Sequence, residues 1–170
     1  MSRVQSSGTG AARVTGRATL LLAALAAVAW LTGRPFVFPS LGPSAYALAV
    51  TPDDETTRPA RVFGGHAVGV AAGLLAYHLF ASGASMTAYP AATSTVGAGL
   101  AVGGVVALGL TTAGMLVTDL RHAPACATTL IVALGLLTTP VEAASVLLAV
   151  AGLLAVDRPL AHSSNGSSMS

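Results

Sequence analysis

Lysine is missing from this 170-residue chain, and the net charge of +2 comes from eight arginines set against six acidic residues. Charged residues of every kind make up only 8% of it, while 54% is hydrophobic and the mean hydropathy is +0.76. A soluble domain carries roughly a quarter charged residues, so that class is excluded and a membrane protein is indicated. So few cations, with aromatics at 5%, leave no basic stripe or stacking platform for nucleic acid. The single cysteine, Cys126, excludes an internal disulfide. What fills the space is Ala, Leu, Val and 19 glycines, the small residues that let helix backbones approach closely in lipid.

Six apolar stretches follow one another, at 18–33, 36–51, 62–82, 97–118, 123–138 and 141–156. The third and fourth are long enough to span outright. The other four fall slightly under the usual minimum of about 17 residues, so each is either a short span or a re-entrant half-helix. The fold class expected is therefore an all-α polytopic membrane bundle of about six short transmembrane or re-entrant helices. Ser, Gly, Thr and Arg dominate residues 1–16, and the tail over 159–170 is similarly polar, so both ends are expected to be disordered around a transmembrane domain over 17–158. Ala27-Val28-Ala29 resembles a signal-peptide cleavage site. Every later segment is equally apolar, however, so the first is expected to remain as a signal-anchor helix.

Arginines accumulate on the cytoplasmic side of a membrane, and they favour six crossings over four. With both termini cytoplasmic, six crossings place Arg3, Arg13, Arg17, Arg58, Arg61, Arg121 and Arg158 inside and only Arg34 outside. A weak internal echo suggests a unit of three segments used twice. Residues 70–76 (VAAGLLA) return loosely as 149–155 (AVAGLLA), and Pro43-Ser44-Ala45 has a counterpart in Pro124-Ala125-Cys126, at offsets of 79 and 81 residues. Three crossings per unit would make this a 3+3 inverted repeat, a plan many transporters use with the substrate site near the midplane.

Polar residues interrupt the apolar body at three places. In FPSLGPSAYAL, Pro39, Gly42 and Pro43 break any continuous helix, and a helix can restart only with Pro43 near its first turn. In RHAPACATTL, Pro124 suits the first turn of segment 123–138, which leaves Arg121 and His122 just outside the helix and Thr128 and Thr129 one turn in. A helix start presents unpaired N–H groups and the positive end of the dipole, both attractive to anions. In VFGGHAVGV, Gly64 and Gly65 precede His66, and His78 follows twelve residues later, roughly 120° around the helix. The two imidazoles therefore do not share a face, and no metal site is expected. Asp119 with Arg121, and Asp157 with Arg158, are close enough in sequence to pair. No nucleophile elbow, HExxH or Walker pattern is present, so the chain is not expected to be an enzyme and no cofactor is implied.

The run His122-Ala123-Pro124-Ala125-Cys126-Ala127-Thr128-Thr129-Leu130 resembles the motif His-Pro-Pro-Ala-Gly-Ala-Thr-Ala-Leu that names the HPP transmembrane family. Gly42-Pro43-Ser44-Ala45 is similar to that family's Gly-Ala-Ser-Ala. The stretch from Arg58 to His66 (RPARVFGGH) is similar to its Gln-Pro-Arg-Asn-Val-x-Gly-Gly-His. The three motifs lie in the expected order and cover roughly residues 36–156. This chain departs from them at Ala123, Cys126 and Ala60. The family is often described with four spans, and its plastid members are associated with nitrite transport. The resemblance implies a permease for a small inorganic anion, passive or proton-coupled. Ser44, His66, His122, Thr128 and Thr129 would bind the anion, and Gly42, Pro43, Gly64, Gly65 and Pro124 would shape the site. A chain this short is expected to form a homo-oligomer in the bilayer, in the plasma membrane. The rival expectation is a non-transporting subunit that uses its Gly/Ala faces for assembly.

Overall fold

The computed structural model describes residues 8–88 and 90–166, with side chains over 10–88 and 90–160. Six helices follow in chain order: α1 (Gly8–Thr32), α2 (Leu41–Val50), α3 (Pro59–Ala76, continued as a π-helical turn over Tyr77–Ala81), α4 (Thr95–Val117), α5 (Ala125–Ala133) and α6 (Pro140–Gly166). Short 3-10 turns lie at Glu55–Thr57 and Met86–Ala88. Four helices, over Gly10–Thr32, Pro59–Ala81, Thr95–Val117 and Pro140–Leu160, are long and apolar enough to cross a membrane. With ten residues in α2 and nine in α5, each of these reaches only about 15 Å, half the thickness of a hydrocarbon core.

The boundaries have local causes. Proline opens α3 and α6, where its missing amide would have had no partner. Ser94 caps α4 by accepting from the Gly97 N–H at 3.1 Å. Glu142 folds back to accept from the Thr138 and Thr139 amides at 2.9 and 3.0 Å. Pro39 precedes α2, Pro43 is its third residue and Pro52 follows it. At the end of α5, Gly135 takes a left-handed φ of +78°. Its N–H bonds the Val132 carbonyl while the Leu136 N–H bonds that of Ile131, the Schellman arrangement that stops a helix.

Side-chain contacts fix the direction of every element. Arg17 pairs with Asp157 and Leu25 lies against Gly152, so α1 and α6 are antiparallel. Val70 packs with Ala143, while Pro59 and Phe63 lie beside Leu154, Ala155 and Arg158, so α3 and α6 are antiparallel too. Gly99 faces Phe80 and Gly114 faces Val68, which makes α4 antiparallel to α3. Because α1 and α3 run the same way, the chain must return between them. It does so through the extended stretch after Thr32 and then α2. By the same reasoning α5 runs back between α4 and α6, parallel to α3. The chain therefore traverses the bundle six times, four times as long helices and twice as a half-helix joined to irregular backbone. The short segments 36–51 and 123–138 are half-helices that complete a pass, and do not return to the side they came from.

Two kinds of packing hold these passes. The largest aliphatic cluster joins Leu21 and Leu25 of α1, Leu41, Ala45 and Leu48 of α2, Val62 of α3, and Val146, Val150 and Leu153 of α6. In contrast, α5 lies on a glycine stripe of α3, with Gly65 against His122 and Ala125, Gly69 against Thr129 and Ala125, and Gly73 against Val132 and Thr129. A Cβ at Gly69 would meet Thr129 Oγ1 at 2.8 Å and the Ala125 carbonyl at 2.9 Å, so only glycine admits the α5 backbone.

The helical ends are longer than the polar composition suggests. Residues 8–16 belong to α1, and 159–166 continue α6 past Pro159. Ala11, Ala12 and Ala18 favour helix, no proline interrupts residues 8–32, and the Arg17–Asp157 pair at 2.7 Å ties the two outer helices together near these ends. The remainder of the expected disorder, at 1–7 and 167–170, lies outside the described residues.

Candidate functional site

Most of the polar side chains buried inside this apolar bundle gather in two places, with Asp157 apart from both against Arg17. Ser44, His66 and Thr128 are 0% exposed and His122 is 1% exposed, and they form one continuous chain. Thr128 Oγ1 lies 2.7 Å from His66 Nδ1. Ser44 Oγ lies 3.0 Å from His66 Nε2 and 3.1 Å from His122 Nε2. His122 Nδ1 lies 2.8 Å from the carbonyl oxygen of Thr56.

That last contact sets the tautomers. A carbonyl only accepts, so His122 Nδ1 carries its proton and its Nε2 is the acceptor when the ring is neutral. Ser44 therefore donates to His122 Nε2 and accepts from His66 Nε2–H. The remaining nitrogen of His66, Nδ1, accepts from the Thr128 hydroxyl. Four hydrogen bonds thus point one way, from Thr128 in α5 through His66 in α3 and Ser44 in α2 to the backbone of the loop before α3. The two imidazole centroids are 5.4 Å apart.

Helix starts converge here. Ser44 is in the first turn of α2, whose N-terminus faces away from the Thr51–Arg58 loop. His122 lies just ahead of α5, whose N-terminus faces toward that loop. The Ser44–His122 contact therefore joins two oppositely directed half-helices through residues 78 apart in sequence. One turn back from Ser44, the Ser40 hydroxyl is fully buried. It is the only buried side-chain nitrogen or oxygen among the described residues without a hydrogen-bond partner.

The sequence candidates separate as follows. Ser44, His66, His122 and Thr128 come together, whereas Thr129 points elsewhere. Its Oγ1 meets Thr111 Oγ1 of α4 at 2.8 Å and the Ala125 carbonyl at 3.2 Å, forming the second polar spot. Pro124 caps the start of α5, and Pro43 lies in the first turn of α2. Gly65 and Gly64 admit His122 and Leu120 respectively, while Gly42 has nothing within 4 Å of where a Cβ would stand. Arg121 does not approach the cluster; it is exposed and pairs with Asp119 at 2.7 Å. Asp157 accepts from Arg17 of the neighbouring α1 at 2.7 Å, a partner 140 residues away in sequence. His78 is exposed beside Tyr77.

Sequence reasoning missed Ser40, Thr56, Thr57 and Thr111. Thr57 is 3% exposed, and its hydroxyl donates to the Thr51 carbonyl at 2.7 Å. This bond folds the loop so that the Thr56 carbonyl faces His122. Asp54 secures the same loop by accepting from the Thr56 amide and hydroxyl, both at 2.7 Å. The hydroxyl and amide of Thr56 hold the Asp54 carboxyl below its ordinary value. A threonine pair in the middle of the otherwise apolar α4 was the available signal for Thr111. Among the described residues no group of three His, Cys, Asp or Glu side chains could hold a metal.

A family model described as "HPP, transmembrane region" matches residues 4–157. No curated protein and no solved structure matches the chain.

Proposed function

The chain belongs to the HPP transmembrane family, and on that premise we propose that it is a permease for a small inorganic anion of the nitrite class. The observation that carries this reading is the meeting of two opposed half-helix starts at a buried cluster of hydroxyls and imidazoles, Ser44, His66, His122 and Thr128. An anion moved out of water needs donors to replace its hydration. Hydroxyl groups, imidazole N–H groups and the positive ends of α2 and α5 are the donors this interior offers. The Ser40 hydroxyl, buried and unpaired at the start of α2, is a further donor at the same place.

Arg17, Arg61, Arg121 and Arg158 lie at one end of the bundle with the Thr51–Arg58 and Thr118–Pro124 loops. By the preference of arginine for the cytoplasmic side, that end and both chain termini face the cytoplasm of the plasma membrane. Exposed Val102, Val105 and Leu116 of α4 face lipid or a second copy in a homo-oligomer.

The test is uptake of nitrite, nitrate and formate into liposomes containing the purified protein. Uptake above that of empty vesicles, reduced by Ser44→Ala or His66→Ala, supports the permease. No uptake of any of the three overturns it in favour of a non-transporting membrane subunit.

A further inference from the structure

We infer that the Ser44–His66–His122 cluster is a store for one proton, and that Ser44 is the switch that accommodates it. The inference deepens the permease reading. Its link to transport rests on that reading, while the store itself does not.

Three groups surround the Ser44 hydroxyl: the His66 Nε2–H donor at 3.0 Å and two acceptors, His122 Nε2 at 3.1 Å and the Ser40 carbonyl at 3.2 Å. In the neutral cluster the hydroxyl donates to His122 and accepts from His66, which leaves the Ser40 carbonyl unused by Ser44. When a proton is added at His122 Nε2, both Nε2–H groups point at Ser44 Oγ, which has two lone pairs to receive them. The hydroxyl then turns to the Ser40 carbonyl, already within hydrogen-bond reach. The bonds from Thr128 to His66 and from His122 to Thr56 keep their direction. Every donor and acceptor is satisfied in both states, and the only atoms that move far are hydrogens.

A second proton has no comparable place. It would have to enter at His66 Nδ1, where Thr128 already donates, and it would put two cations on rings 5.4 Å apart, where like charges disfavour each other strongly. Among the described residues no carboxylate bonds either ring to offset this. Among the described residues, the flanking charged groups are Asp54, Glu55 and Arg58 around Thr56, and Asp119 and Arg121 ahead of His122, with Arg58 beside Glu55 at 3.6 Å. Asp54 is held by Thr56. Glu55 and Asp119 are both bound to Arg61, and Arg121 is bound to Asp119. From α2 the chain is faced by Ser44, and from α5 by Thr128, neither of them charged; Cys126 is the nearest other titratable group on α5. The stored proton gives the cluster a charge of +1, which matches a monovalent anion, so an anion and a proton cross together.

The proton count is read by solid-state NMR of the full chain in bilayers with 15N-labelled histidine. Across roughly two pH units either side of the usual imidazole value, the expected result is one proton taken up by the His66/His122 pair, with His122 the ring protonated on both nitrogens. In Ser44→Ala the two rings titrate independently, whereas Ser44→Thr keeps the single shared proton and serves where the alanine variant does not fold. Two protons taken up by the wild type, or none, overturn the store. Coupling is read in proteoliposomes with a trapped pH dye during nitrite entry, corrected for empty vesicles. One proton entering per nitrite supports it. Nitrite entry without proton entry overturns the coupling and leaves the permease standing. A single stored proton without nitrite entry overturns the permease and leaves the store standing.

Discussion

The two half-helices of this bundle are seated by opposite means. α2 is gripped by large side chains, with Leu41 and Leu48 set among Leu21, Val150 and Leu153. α5 is gripped by the absence of side chains, its backbone laid on Gly65, Gly69 and Gly73 of α3. Aliphatic contacts are many, individually small and tolerant of adjustment. A backbone pressed on glycine cannot yield, because the Ala125 and Thr129 carbonyls, each 2.9 Å from where a Cβ would stand on Gly69 or Gly73, belong to a helix already satisfied within itself. The difference teaches where precision is concentrated. His122 and Thr128 are held by the unyielding contact, and Ser44, the element that must re-aim a hydroxyl, sits on the more compliant one.

This contrast is broken first at Gly69. Valine there drives side-chain atoms into Thr129 and the Ala125 carbonyl, and because the backbone cannot give way the cost exceeds the ~3 kcal/mol upper end of ordinary overpacking. The expected outcome is the largest loss of folded protein in this series, seen as a lowered melting temperature in detergent. Opposite it, Leu153→Ala empties part of the α2 cluster at a cost of ~2 kcal/mol or more. Because the aliphatic surroundings can partly close, the loss should be smaller than at Gly69, and a loss equal to it would erase the distinction drawn between the two seats. His122→Ala turns the Ser44 hydroxyl to the Ser40 carbonyl and leaves the Thr56 carbonyl without its donor, about 1–3 kcal/mol for a buried unpaired group. Under the permease reading it also removes flux, which liposome uptake checks.

The adjacent threonines sharpen the comparison further. Thr128→Val removes the donor to His66 and is expected to slow uptake. Thr129→Val loses the bond to Thr111 and is expected to cost ~1 kcal/mol of stability with uptake nearly unchanged. Equal slowing by both would contradict the division of the two hydroxyls between separate polar spots. The smallest effect is expected at Asp119. Its carboxyl is held below the usual 3.8 by hydrogen bonds from Arg121 and Arg61. A depressed carboxylate stabilises the fold fully above its unfolded value and loses that contribution as pH falls through the folded one. The melting temperature of Asp119→Asn should therefore approach that of the wild type only below about pH 4, and the exposure of the pair keeps the difference slight.

Much of this architecture was legible because prolines and a glycine punctuate the chain. Pro39, Pro43 and Pro52 around α2, and Pro124 with Gly135 around α5, mark elements too short to span, and the arginines indicate an even number of passes. The gathering of Ser44 with His66 and His122 was anticipated only through the family resemblance, since it joins residues 22 and 78 apart through packing that no local pattern encodes. The glycine stripe at Gly65, Gly69 and Gly73 has the four-residue spacing of one helix face, yet in a chain with 19 glycines that spacing stands out only once a partner is laid on it. Thr128 and Thr129 are chemically identical, and only the rotation of α5 tells them apart. Asp157 shows the same limit for charge, because its neighbour Arg158 was the obvious partner and it holds the distant Arg17.

The bond between Arg17 and Asp157 sets the first and last helices of the bundle side by side, with the start of α1 and the end of α6 at the same face. A circularly permuted gene, with the old ends joined by a flexible linker and new ends opened in the loop between α3 and α4, would therefore encode the same six passes with the sequence order of its two halves exchanged.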